Sequence, residues 1–240
     1  MSADDQVPLK GTDLRPDGVI ESVDQRLARQ VTDPDDVRRR LADATRAVMR
    51  HLVSSTASND DLEAAAAAVT AAAEQLDAST KGRSYFGVAE GSLLSENREF
   101  IDYSPLTGLL NPLAPPMHIW REGDAVLASA TFGPQYEGPP GCVHGGFVAA
   151  AFDEILGVTQ SLTGRAGMTA HLAVDYRSPT PLHRELRFAG RVDRTEGRKI
   201  FTTATLHDGD RLCAEAMGLF VSMRPEVFER LLRIRLGETG

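Results

Sequence analysis

The sequence predicts an α+β fold in which an antiparallel sheet wraps around one long buried helix, behind an N-terminal helical extension. Three observations carry this. The run from about His144 to Leu162 is apolar nearly all round, which suits a helix enclosed on every side. Four strand-like runs follow it as a meander: MTAHLAVDYR, LRFAGRVDR, IFTTATLHD and LCAEAMGLFVSM. A further pair precedes it, MHIWRE and AVLASATFG, joined to the helix by the turn-rich GPQYEGPPG. The strand connections PTPLH, EGRK and Asp208-Gly209 are turn signals, and the last favours a type I′ hairpin.

In chain order, residues 1–35 read as a polar arm, with Pro8, Pro16 and Pro34 and no sustained periodicity. Residues 36–80 read as a helical hairpin. Asp35 or Asp36 caps a first helix in which Val37, Leu41, Ala44, Val48 and Leu52 recur at helical spacing. A second helix starts at Asp60 or Asp61 and runs through an alanine-rich stretch, alanine being the best helix former. Residues 81–116 shift to Gly, Ser, Pro and Asn and end in SPLTGLLNPLAPP, which excludes a continuous helix or a central strand; they read as a covering segment. The sheet-and-helix domain occupies 117–224, and a basic amphipathic helix closes the chain over 225–240.

The 240 residues carry a formal charge of −8, which argues against general nucleic-acid binding. Residues 1–80 hold 15 acidic and 9 basic side chains, so they contribute −6 of it. Attraction for an anionic ligand must therefore be local. Cys142 and Cys213 are too few and too far apart for a disulfide framework or a zinc site. No apolar run is long enough to span a bilayer, and the acidic N-terminus does not resemble a signal peptide, so a cytoplasmic location is expected.

The segment that carries chemistry is EGPPGCVHGGFVAAAFDE, residues 137–154. Gly145 and Gly146 fall at a helix N-terminus, where unpaired backbone N–H groups and the macrodipole favour developing negative charge. Lacking a β-carbon, they let a substrate carbonyl approach the backbone. Nine residues after His144, the carboxylates Asp153 and Glu154 interrupt an otherwise apolar helix, a costly arrangement unless they are paired or used. His144 suits a residue that orders the turn, and Glu154 fits a satisfied carboxylate as well as a site residue. Cys142 has no readable partners for a nucleophile.

These residues resemble the PaaI-like branch of the hotdog-fold acyl-CoA thioesterases, in the group of human thioesterase superfamily members 4 and 5. EGPPG followed by HGG, Met168-Thr-Ala, the DYRSPTPL run and TEGRK carry the resemblance, over about residues 116 to 223. It implies a hotdog domain that hydrolyses acyl-CoA to free acid and CoA, without metal or cofactor. The Gly145 N–H would polarise the thioester carbonyl, Asp153 would act as base or nucleophile, and Thr169 would help hold the water. One departure stands out: many members carry Asn or Gln as a second oxyanion donor where this chain has Gly138.

Helix geometry adds an expectation of its own. Gly145 and Asp153 are about 12 Å apart along an α-helix, too far for one thioester carbon to touch both. If both act on one substrate, they come from different chains, which implies a homodimer or a dimer of dimers. Residues 175–199 hold seven basic against four acidic residues, and Arg177, Arg198 and Lys199 are the candidates for the CoA phosphates. Two rival readings stay open: hydrolysis of an acyl carrier protein thioester, and a catalytically silent protein that binds acyl-CoA.

Overall fold

The computed structural model describes residues 36–78, 102–165 and 167–222. The polar arm, the C-terminal helix and most of the covering segment lie outside these residues. Helix α1 spans Val37–Leu52 and α2 spans Asn59–Asp77. The strands are β1 (Met117–Glu122), β2 (Ala125–Thr131), β3 (Gly167–Tyr176), β4 (Glu185–Glu196), β5 (Lys199–Asp208) and β6 (Arg211–Ser222), with helix α3 (Gly145–Gln160) between β2 and β3.

The six strands form one antiparallel sheet in the order β1-β2-β4-β5-β6-β3. Helix α3 packs against one face of the sheet, which is the hotdog arrangement. Alternation sets the contact: Leu186 and Phe188 from β4, Ile200 and Leu206 from β5, and Phe220 from β6 meet Phe152, Ile155 and Leu156 of the helix, all buried. Phe152 and Phe188 pack edge to face at 5.6 Å. The helix comes so close to the sheet that a Cβ at Gly190 would sit 2.3 Å from Thr159 Oγ1.

Three hairpins share one turn device. The residues flanking the loops pair as Glu122 with Ala125, Glu196 with Lys199 and Asp208 with Arg211. The two-residue loops are therefore Gly123-Asp124, Gly197-Arg198 and Gly209-Asp210. Only the glycine of each has positive φ, at 60°, 57° and 59°. That is the signature of a type II′ turn, so the type I′ expectation for Asp208-Gly209 is corrected: Asp208 belongs to the strand and Gly209 opens the loop.

Helix α1 is capped by Asp36, whose side chain accepts from the Arg38 and Arg39 N–H groups. Its two buried residues, Ala42 and Arg46, face the body, and Arg46 makes the polar contacts. Arg46 donates to the carbonyls of Gly108 (3.3 Å), Leu109 (2.5 Å), Asn111 (2.9 Å) and Ala114 (3.1 Å), and pairs with Asp43. Residues 102–116 thus form an ordered plug between α1 and the domain. Helix α2 is capped by Ser58 and begins at Asn59, one residue before Asp60, and all of its residues are exposed. The expected hairpin is therefore not a packed pair. No helix among the described residues is long and apolar enough to cross a membrane.

Candidate active site

The segment before α3 is held by its own polar groups. Glu137 Oε1 accepts the Gly141 N–H at 2.6 Å, and the Gly138 N–H donates to the Cys142 carbonyl. The Val143 N–H donates to the Thr180 carbonyl and the Leu182 N–H to the Gly141 carbonyl, so EGPPG and PTPL are laced together. The His144 N–H donates to the Tyr136 carbonyl, which presents His144 as the cap of α3.

His144 Nδ1 accepts the Gly146 N–H at 3.0 Å. An accepting Nδ1 leaves the neutral ring's proton on Nε2. This supports a turn-ordering His144 and engages the one backbone donor that Gly146 offered, so Gly146 does not serve as a free substrate donor. The Gly145 N–H has no partner among the described residues and points out of the first turn, where the helix dipole favours an oxyanion. Tyr176, which the sequence reading did not single out, donates its hydroxyl to the Gly145 carbonyl at 2.7 Å. A Cβ at Gly145 would lie 3.3 Å from that hydroxyl, so Tyr176 also limits what can stand there.

Two turns along α3, Asp153 is half-buried, and its Oδ1 accepts from Thr169 Oγ1 at 2.9 Å. The strand is shaped for this contact. Leu172, Val174 and Tyr176 face the helix, so strict alternation would turn Thr169 away; a register shift between Thr169 and His171 places it opposite Phe220, on the helix face. Asp153 therefore sits at an open sheet edge with a hydroxyl on one oxygen and the other free to meet water.

Glu154 turns elsewhere. It accepts from the buried Ser104 hydroxyl at 3.1 Å and anchors the plug to α3. That contact fits the satisfied carboxylate the sequence also allowed. Gly138 has a steric reason: a Cβ there would lie 2.7 Å from His144 Cα, so this backbone leaves no room for the side-chain amide that the resemblance would put here.

The basic candidates do not form one cluster in a single chain. Lys199 and Met168 both pair with Val221, whereas Tyr176 pairs with Ala214, seven residues away along β6, or about 23 Å at the rise of a strand. Arg198 and Lys199 thus lie at the Thr169 end of the sheet and Arg177 at the Gly145 end. Arg177 is also bound to Glu215 (2.5 Å) and Asp175 (3.3 Å), and the Glu215 contact raises its pKa further.

Residues 140–215 match the thioesterase superfamily. Over 95 residues the chain is 40% identical to acyl-coenzyme A thioesterase THEM4 of Xenopus laevis, which is 39% of this chain and 43% of that protein. It is 29% identical over 96 residues to acyl-coenzyme A thioesterase THEM5 of Homo sapiens, 39% of each chain. The chain thus spans less than half the length of these curated relatives. A crystal structure of a thioesterase superfamily protein superposes with a TM-score of 0.71 at 33% identity, covering 79% of this chain and 97% of that one.

Proposed function

Because the chain belongs to the thioesterase superfamily, we propose that it hydrolyses acyl-coenzyme A thioesters to the free acid and CoA, with Asp153 as the catalytic carboxylate. The observation that carries this is the accessible Asp153 carboxylate held by Thr169, on the same helix whose N-terminus offers the uncommitted Gly145 N–H. The Gly145 N–H stabilises charge on the carbonyl oxygen as water adds to the carbon. Asp153 takes the proton from that water and returns it to the departing thiolate as the C–S bond breaks. Direct attack by Asp153 would instead break the C–S bond, expel the CoA thiolate and give a mixed anhydride that water opens to the free acid and the restored carboxylate. Neither route calls for a cofactor, and CoA enters as part of the substrate.

The reading includes a homodimer built on β3. This strand is a sheet edge ten residues long with Asp175 as its one acidic side chain and no Lys or Arg, an edge that needs cover. Thr169 and Tyr176 mark its two ends. A two-fold axis midway between them, pairing β3 with a second β3, would bring the Gly145 end of one chain to the Asp153 end of the other. Arg177 of one chain would then approach Arg198 and Lys199 of the other, where they could share the CoA phosphates. A cytoplasmic setting belongs to the same proposal, supported by the two free thiols, Cys142 and Cys213.

The test is thiol release from CoA esters of short, medium, long and aromatic acyl groups. Turnover of at least one class well above the chemical background is expected. Binding of every ester with no release would favour the silent binding protein, for which the absent amide at Gly138 speaks. Faster release from an acyl carrier protein than from any CoA ester would move the substrate to the carrier.

A further inference from the structure

Helices α1 and α2 each expose an apolar stripe that the other described residues leave uncovered. On α1 the body side is set by Ala42 and Arg46, both buried. Val37 (68% exposed), Leu41 (43%), Val48 (46%) and Leu52 (62%), with the exposed Ala44 between them, line the opposite side at spacings of four and three residues. On α2, Leu62 (37%), Val69 (48%) and Leu76 (51%) repeat every seven residues with alanines between, the pattern of a helix seam. A nineteen-residue helix with no buried residue forgoes the packing of an apolar face, from which most helical stability in proteins comes.

Charge identifies the partner. Besides the buried Arg46, helix α1 carries four arginines against one aspartate, while α2 carries five acidic residues and no basic one. The acidic α2 is a poor match for anionic lipid, which attracts basic helices. It matches α1 in both its apolar stripe and its charge, yet among the described residues it buries nothing. We infer that α2 packs on the exposed stripe of α1 from a second copy of this chain, so that copies exchange helices through complementary charge and apolar seams. This surface lies on the N-terminal extension and does not depend on the thioesterase reading.

The experiment uses the full chain with Cys142→Ser, the remaining Cys213 being buried. Chains bearing Ala44→Cys and chains bearing Val69→Cys, with tags of different size, are mixed, allowed to exchange and oxidised mildly. Both positions lie near the middle of their helices, so the result does not depend on helix direction. A disulfide between differently tagged chains is expected as the dominant product, at least fivefold above like-with-like products. It should be lost when Leu62 and Leu76 are changed to Asp, and weakened by raised salt during exchange. Three results would overturn the inference. A chain carrying both cysteines that closes on itself at high dilution would make the pair an ordinary hairpin. Dominant Val69→Cys products between like chains would mean that α2 pairs with itself. No disulfide at all would mean that the stripes face another partner or solvent.

Discussion

Thr169 Oγ1 reaches Asp153 Oδ1 at 2.9 Å because β3 slips its register immediately after Thr169. The hydroxyl holds the carboxylate's orientation and leaves its other oxygen for water. Replacing Thr169 with Val keeps shape and removes the donor, and should lower kcat about tenfold with little change in KM, the worth of one hydrogen bond to a charged group. Thr169→Ser should retain most of the activity. Steady-state kinetics on a CoA ester check this; equal activity of the Val variant would detach Thr169 from the mechanism.

Gly138→Asn supplies on paper the amide that the resemblance would put here. In this backbone the new Cβ would lie 2.7 Å from His144 Cα, and the loop would have to move. The variant should therefore lose about 1–3 kcal/mol of stability, as crowded substitutions do, and should also lose activity. Denaturant melts and thiol release on the same sample decide the matter, and a gain in turnover would show that the loop accommodates a second donor.

Arg46→Met removes the donor for four carbonyls in a buried place, and a cost of about 2–4 kcal/mol is expected from the polar groups left unpaired. Arg46→Lys should not restore it, since one ammonium cannot reproduce the planar spread of the guanidinium. Thermal unfolding of both variants measures the difference. The plug also meets α3 through Ser104 and Glu154, so Glu154→Gln should change kcat far less than any change at Asp153.

Arg198 and Lys199 lie at the Asp153 end of the sheet and Arg177 at the other, held by Glu215. Neutralising Arg198 or Lys199 should raise KM for a CoA ester about fivefold, as exposed ionic contacts do, and leave an acyl-N-acetylcysteamine thioester unaffected. Arg177→Gln should do less, because Glu215 already occupies that guanidinium. Equal losses on both substrates would assign these residues to the fold.

Much of this was legible in the sequence because it depends on local pattern. The central helix begins where His-Gly-Gly placed it, and β1 matches MHIWRE residue for residue. What escaped depends on register and on contacts across the chain. The turn at Asp208-Gly209 was misassigned because the turn type depends on which residue pairs last, and the pairing of Asp208 with Arg211 is set by the sheet. The Ser104 partner of Glu154 lies fifty residues away. Tyr176 had one available signal, its place on the same strand face as Leu172 and Val174, aimed at the helix that starts at Gly145. The spread of the three cations follows from how β3 and β5 pair with the two ends of β6, which no local pattern encodes.

The most direct test of the central claim is thiol release by Asp153→Asn on the best CoA ester, measured beside the parent on chains matched for circular dichroism and melting. The change preserves volume and removes the base or nucleophile. A loss in kcat of at least about a hundredfold, the usual worth of a catalytic acid or base, is the expected result. Turnover within a few-fold of the parent would contradict the account, because Asp153 is the carboxylate that the Thr169 hydroxyl holds on the helix that carries Gly145.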